Sequence, residues 1–123
     1  MPADPLKRLR LGRNSRLQHS RDFARVRREG ERLAHGCLIA NWSALPAGSV
    51  PRLGVITSRR IGGAVQRSRA RRLLRQSFRI HQHDLLKPID LVLVARASIA
   101  DRAFEEVEKD FLTALQRARL LKN

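Results

Sequence analysis

Apolar residues near the start of the chain recur at helical spacing. Phe23 and Val26 share one face of a helix that we expect to begin at Ser20, whose hydroxyl can cap the first turn. Gly30 follows the last periodic position, and glycine readily ends a helix in the left-handed conformation. The pattern therefore predicts a short first helix that Ser20 caps and Gly30 ends.

Two stretches with β-type composition come next. They span residues 35–42 and 50–58, and the loop between them contains Pro46 and Gly48, which interrupt regular structure. This arrangement predicts a β-hairpin with a loose loop. Residues 32–34 can add a short strand before it.

Residues 64–79 predict a helix whose two sides differ in chemistry. At 100° per residue, apolar and basic positions separate onto opposite faces of this segment. The face expected to pack carries Ala70, Leu73, Leu74, Ser77 and Phe78, and the opposite face carries Ser68, Arg71, Arg72, Arg75 and Arg79. One face of the helix is therefore built for a core and the other for a polyanion.

The last third of the chain predicts one buried strand and one helix. Residues 90–96 form a short apolar run, and Ser98 with Asp101 can form a capping box for the helix that follows. The apolar stripe of that helix recurs at spacings of three and four and consists of Phe104, Val107, Phe111, Leu115 and Ala118.

The order of these elements is helix, two or three strands, helix, strand, helix. It predicts an α+β fold, a two-layer sandwich of helices packed on a small sheet. We expect a single RNA-binding domain over residues 18–121. Residues 1–17 are basic with little pattern, and they predict a flexible N-terminal segment.

Charge points to the class of partner. The chain of 123 residues has a formal net charge of +15, far more than solubility requires, so it should bind nucleic acid or, less favourably, an anionic membrane. Arginines make up 22 of its 26 basic residues, and a guanidinium can hold a phosphate through two parallel hydrogen bonds. Residues 32–83 contain ten arginines and no acid, so this part of the chain is the expected interface.

Several other classes of function find little support. No apolar run is long enough to span a bilayer, and the N-terminus lacks a signal-peptide core, so we expect a cytoplasmic protein without a membrane partner.

Cys37 stands alone and is expected to act as a small hydrophobe in a strand. His81 and His83 have no nearby cysteine or acidic cluster, so no metal site is predicted. The basic segment has no carboxylate for a metal or a general base, which disfavours a catalytic protein.

The segment Ser-Arg-Arg-Ile-Gly-Gly-Ala-Val-Gln-Arg-Ser-Arg-Ala-Arg-Arg-Leu-Leu-Arg-Gln-Ser-Phe-Arg, residues 58–79, resembles the signature of the bacterial ribonuclease P protein subunit. The chain departs from the usual pattern at Ser68, where the family has asparagine, and at Gln76, where it has glutamate. Both departures keep a hydrogen-bonding side chain. The resemblance extends from about residue 17 to residue 115 and includes Asp22-Phe23 and Arg52-Leu53-Gly54-Val55.

The resemblance implies a fold, a function and partners. It implies a small mixed sheet with a left-handed crossover, as in a domain of a small-subunit ribosomal protein. It also implies a heterodimeric ribonucleoprotein in which the RNA subunit carries the chemistry with Mg²⁺, while the protein binds that RNA and the 5′ leader of precursor tRNA. The protein itself is then a non-catalytic subunit that holds no cofactor.

These expectations assign site residues. Proteins that bind the phosphate backbone distribute their binding free energy over many contacts, so the whole basic segment is assigned. The residues predicted to bind RNA are Arg59, Arg60, Arg67, Ser68, Arg69, Arg71, Arg72, Arg75 and Arg79. For the leader cleft they are Phe23, Arg27, which stands where the family often has a second aromatic, and Trp42. Core packing is an equal alternative for Phe23 and the stronger one for Trp42.

Two alternative functions remain open at this point. A structural RNA-binding protein, such as a ribosomal protein, shares the composition. A self-sufficient nuclease would cleave without an RNA subunit, and the missing carboxylates disfavour it.

Overall fold

A computed structural model describes residues 12–122, and the expected order of elements is confirmed. Over these residues the chain forms α1 (Ser20–Glu29), β1 (Glu31–His35), β2 (Leu38–Ala44), β3 (Arg52–Ile56), α2 (Ala64–His81), β4 (Ile89–Ala95) and α3 (Phe104–Arg117). Short 3-10 turns lie at Arg13–Ser15, Gln82–Asp84 and Ala97–Asp101. Among the described residues, no helix is long and apolar enough to cross a membrane.

The four strands form one mixed sheet in the order β1-β2-β4-β3. The predicted hairpin between residues 35–42 and 50–58 is wrong, because β4 lies between β2 and β3. The physical reason is that β4 is apolar on both faces and takes a central position. The hairpin that does form joins β1 to β2 through Gly36, whose φ of 57° suits a glycine.

A crossover through α2 connects β3 to β4, which pair in parallel with Arg52 opposite Asp90 and Ile56 opposite Val94. The end of β3 therefore sets where α2 begins. The left-handed sense of this crossover remains what the family resemblance implies.

The main core lies between the sheet and the pair α2 and α3. The apolar face predicted for α2 is buried at all five positions, and Phe78 of α2 and Phe111 of α3 fill the same core. The predicted stripe of α3 also faces this core. Helix α1 packs on the other face of the sheet, where Val26 contacts a smaller cluster with Leu17 and Val92. The two-layer sandwich thus carries a third, partial layer.

Helix ends differ from the predicted caps. His19, and not Ser20, precedes α1, and Gly30 is extended with φ −84° and not left-handed. Glycine is favoured at this position because a side chain would meet the backbone of Trp42. Ser98 and Asp101 belong to a 3-10 turn, and α3 begins only at Phe104. Glu106 accepts the Ala103 backbone N–H at 3.1 Å, which supplies half of a capping box.

Asp110 of α3 anchors the β1–β2 turn to the helix layer. Its Oδ2 accepts the backbone N–H of Cys37 at 3.0 Å, and a side chain at Gly36 would collide with the same carboxylate. Cys37 is buried at this turn, just before β2. Burial, reinforced by the neighbouring Asp110, raises the pKa of the Cys37 thiol to about 12, so the group stays a neutral, small hydrophobe.

Asp90 is the only buried charged side chain among residues 12–122, and it joins three elements. Arg52 of β3 donates Nε and Nη2 to its two oxygens at 2.7 Å each, and Arg25 of α1 donates Nη2 to Oδ2 at 2.7 Å. Burial alone would raise the pKa of Asp90, but the hydrogen bonds from Arg52 and Arg25 outweigh it and hold the pKa below its ordinary value.

We predict that Asp90→Asn lowers the free energy of unfolding by about 2–3 kcal/mol, somewhat less than a fully buried broken pair because both arginines keep contact with water. Because the folded-state pKa is lowered, this stabilisation is complete at neutral pH and is lost as the pH falls through that pKa. Urea unfolding at several pH values tests both statements. The exposed Asp101→Asn is the control, and equal losses in the two variants would contradict the prediction.

Candidate nucleic-acid interface

The solvent side of α2 carries the predicted basic residues. Ser68, Arg72 and Arg75 are exposed, while Arg71 and Arg79 are half-buried at its margins. Arg67 and Arg69 flank this side and are also half-buried. The structure thus brings the predicted residues of α2 together along one helix.

Two of these arginines are fixed by bonds within the protein. Arg71 donates to Thr57 Oγ1 at 2.8 Å and to Ser68 Oγ at 3.1 Å, so Ser68 orients a guanidinium. Arg69 donates to the carbonyl of Arg102 at 2.5 Å, which ties the flank of α2 to the start of α3. These bonds hold two charges in place before any ligand arrives.

None of the eight predicted arginines forms an ion pair with a carboxylate in the part of the chain that the structure describes. Burial, together with the charges of Arg16 and Arg71, lowers the pKa of Arg75. Like charges held close together without counter-charges are unfavourable in the free protein. An anion bound beside Arg75 would relieve this repulsion.

The entry to α2 lies where β3 and β4 both end. Arg59 and Arg60 are exposed there in a turn. The Ile61 N–H closes this turn by donating to the Ser58 carbonyl at 3.1 Å. Gly62 has a φ of 144°, which a residue with a side chain rarely adopts. The predicted residues of this turn therefore continue the basic side of α2 toward the sheet.

Phe23 is packed against the sheet and also partly open to solvent. Its ring packs over Gly54 on the face of the sheet that α1 covers, and the side chain stays partly exposed. A pocket of about 70 Å³ opens beside it, and Arg16 and Arg75 are among its lining residues. This pocket links α1 to the basic side of α2 around the edge of β3.

The other two residues predicted for the cleft have different surroundings. Arg27 is exposed one helical turn beyond Phe23 on α1. Trp42 is only 6% exposed and belongs to the core on the opposite face of the sheet. The structure therefore does not bring Trp42 to Phe23, and no face of its ring is open to a base.

Arg16 is a candidate that no pattern in the sequence indicated. Residue 16 pairs with Leu53 as a parallel bridge, Leu17 donates its N–H to the Leu53 carbonyl at 2.9 Å, and Leu17 is buried. The predicted flexible segment 1–17 thus includes residues that pack on β3, while residues 1–11 lie outside the described part of the chain. The available signal was Leu17, a lone apolar residue just before α1.

Arg16 also lines a second, polar pocket with His19, Asp22 and Arg52. The two pockets form a groove along the edge of β3, with Arg16 between them. Residues 12–122 contain no group of three or more His, Cys, Asp or Glu side chains that could hold a metal ion. The arrangement is suited to binding a polyanion by position and charge.

Comparisons with known proteins agree with this architecture. The chain matches the family model described as Ribonuclease P over residues 11–119. It is 38% identical over 112 residues to the ribonuclease P protein component of Syntrophomonas wolfei, covering 89% of this chain and 92% of that protein. A second such component, from Bacillus velezensis, is 32% identical and covers 91% and 96%.

Solved structures show the same fold. The ribonuclease P protein of Staphylococcus aureus superposes with a TM-score of 0.80 at 22% identity, covering 88% of this chain and 98% of that one. The ribonuclease P protein of Thermotoga maritima superposes with a TM-score of 0.73 at 27% identity, covering 83% and 96%.

We predict that Gly54→Ala destabilises the protein by about 1–3 kcal/mol, the usual cost of overpacking, because the added methyl overlaps the Phe23 ring. Thermal unfolding measures the loss. Gly12→Ala is the matched control, since open space surrounds that position. If both variants unfold alike, Phe23 does not pack on Gly54 as described.

Proposed function

Since the chain belongs to the ribonuclease P protein family, we propose that it binds the catalytic RNA and the 5′ leader of precursor tRNA and assists removal of that leader. The observation that carries the proposal is the basic side of α2, which lacks carboxylate partners among the described residues and continues through Arg75 and Arg16 to the groove beside Phe23. One surface can then contact two RNA strands.

The α2 arginines and the turn with Arg59 and Arg60 dock on the RNA subunit. Arg71, held by Thr57 and Ser68, presents its guanidinium in a fixed orientation, which reduces the entropy lost on binding. Each phosphate contact releases condensed counterions, so affinity falls steeply as salt rises.

The leader occupies the groove along the edge of β3. A phosphate can lie between Arg16 and Arg75, where two positive charges converge, while the exposed part of the Phe23 ring offers a surface for one base. Exposed Arg27 gives this end of the groove a charge in place of a second aromatic. Leader binding in this chain therefore depends on charge more than on stacking.

The chemistry belongs to the RNA subunit with its magnesium ions. The described side chains do not fit a magnesium site, since no suitable cluster of carboxylates or histidines occurs among residues 12–122. The protein acts by screening repulsion between the phosphates of substrate and RNA. This lowers the magnesium concentration at which the RNA cleaves.

A structural RNA-binding protein remains the alternative function. It would use the same α2 surface but would not distinguish substrates with and without a leader. The partly exposed Phe23 ring beside the pocket favours the proposed function, because docking on a folded RNA alone needs no stacking surface there.

Cleavage of precursor tRNA at low magnesium tests the proposal. We expect cleavage at the mature 5′ end when a bacterial ribonuclease P RNA and this protein are both present, and little or none with either alone. The protein should also bind precursor tRNA more tightly than leaderless tRNA in the presence of the RNA subunit. RNA binding without stimulation would support the structural alternative, and cleavage by the protein alone would refute the assigned mechanism.

Charge removal on α2 gives a second test. Replacing both Arg67 and Arg72 with Gln should reduce the slope of log affinity for the RNA subunit against log salt by about 1.4–1.8, since each lost phosphate contact removes about 0.7–0.9. Lys109→Gln, on the exposed side of α3 among acidic neighbours, is the matched control and should leave the slope unchanged. An unchanged slope in the double variant would exclude α2 from the interface.

A further inference from the structure

A second groove lies at the far end of α2 from its N-terminus. It has a volume of about 540 Å³ and is lined by Leu86, Gln116, Arg119, Leu121 and Lys122. The Leu86 N–H donates to the Leu120 carbonyl at 2.7 Å, and Leu85 pairs with Leu121, so the segments on its two sides are bonded together. The groove is therefore a built feature of the fold.

Arg119 occupies an unfavourable backbone conformation at this groove. Helix α3 ends in a Schellman motif. In this motif the Leu120 N–H donates to the Leu115 carbonyl, and the Arg119 N–H donates to the Gln116 carbonyl. Arg119 stands at the left-handed position of that motif, with φ 59°, where glycine is the usual residue. Its exposed side chain forms no hydrogen bond or ion pair with the described residues. The local structure alone would favour glycine or asparagine here.

The lining of the groove combines cations with exposed apolar surface. Arg119 and Lys122 supply positive charge, Leu86 is 59% exposed, and no carboxylate is among the lining residues. A ligand that matches this lining has an anionic part and a flat apolar part. An unpaired nucleotide within an RNA strand has both.

We infer that this groove is a second contact for the RNA subunit, with a phosphodiester at Arg119 and Lys122 and an unpaired base against Leu86. The inference rests on the proposed function. Helix α2 ends at His81, and the connector that follows it carries Leu86, so an RNA strand that follows the 18 residues of α2, about 27 Å, towards the C-terminal end of the helix approaches the groove. This proximity, together with a lining that has two cations and no carboxylate, favours the RNA subunit over a protein partner.

The Arg119→Gly variant should change RNA affinity and folding stability in opposite directions. It removes the guanidinium and relieves the left-handed strain, so we expect a higher unfolding temperature together with about fivefold weaker binding of ribonuclease P RNA at low salt. The slope of log affinity against log salt should fall by about 0.7–0.9, as for one lost contact. Arg119→Asn, which also tolerates this conformation, should weaken binding equally.

Leu86→Ser tests the apolar part of the site. It should weaken RNA binding several-fold with an unchanged salt slope, because no charge is lost. The attraction of a helix C-terminus for cations is a sufficient structural reason for Arg119 and Lys122. If that is their only role, all three variants will bind RNA as the wild type does, and the inference fails.

Controls separate this failure from failure of the proposed function. The Arg67 and Arg72 double variant should bind ribonuclease P RNA more weakly whether or not the groove contributes, and Lys109→Gln should bind normally. If the groove variants bind ribonuclease P RNA with wild-type affinity while the double variant binds it more weakly, only the second contact is refuted. A wild-type protein that does not bind ribonuclease P RNA overturns both.

Discussion

The contact of Asp90 with Arg52 and Arg25 is the constraint on which the rest of the structure depends. Strands β3 and β4 are parallel, so no tight turn can fix their register, and the bidentate bond between Arg52 and Asp90 joins the two residues that pair across them. The same carboxylate holds α1 through Arg25. Because α2 starts beyond the end of β3 and Phe23 lies on α1, one buried acid fixes both parts of the proposed RNA surface relative to each other.

The distribution of carboxylates explains how a chain with a net charge of +15 folds and still presents an open basic surface. Asp90 and Asp110 bond backbone or arginine groups within the fold, and Glu108 bonds His81 between α2 and α3. These three acids thus bond groups within the fold and leave the arginines of α2 without carboxylate partners among the described residues. Like charges remain close together near Arg75, so if RNA binds there as proposed, its binding should also stabilise the folded protein.

The sequence predicted the features that depend on the spacing of apolar residues within a single helix. The buried side of α2, with Phe78, and the stripe of α3, with Phe111, followed from spacing alone. The central position of β4 did not follow from its sequence. A strand that is apolar on both faces can be placed only when the order of all the strands in the sheet is known. Trp42 could not be assigned to a face without the register, and the roles of Arg16 and Gly54 arise only from packing on β3. The signature arginines were selected by family resemblance, and their role stays a prediction. The bonds that orient Arg69 and Arg71 could not be predicted, because their partners Thr57 and Arg102 meet α2 only in the folded chain.

The edge of β3 shows why the groove lies where it does. An exposed edge strand offers unpaired backbone groups to other chains, and proteins commonly cover such edges or place charges along them. Here residues 16 and 17 pair with Leu53, and the guanidinium of Arg16 remains beside Arg75. Covering the edge therefore brings a positive charge to the boundary between α1 and α2. The short segment that covers the edge of β3 also lines the groove proposed for the leader. Its loss should therefore both expose the edge and remove a positive charge from that groove.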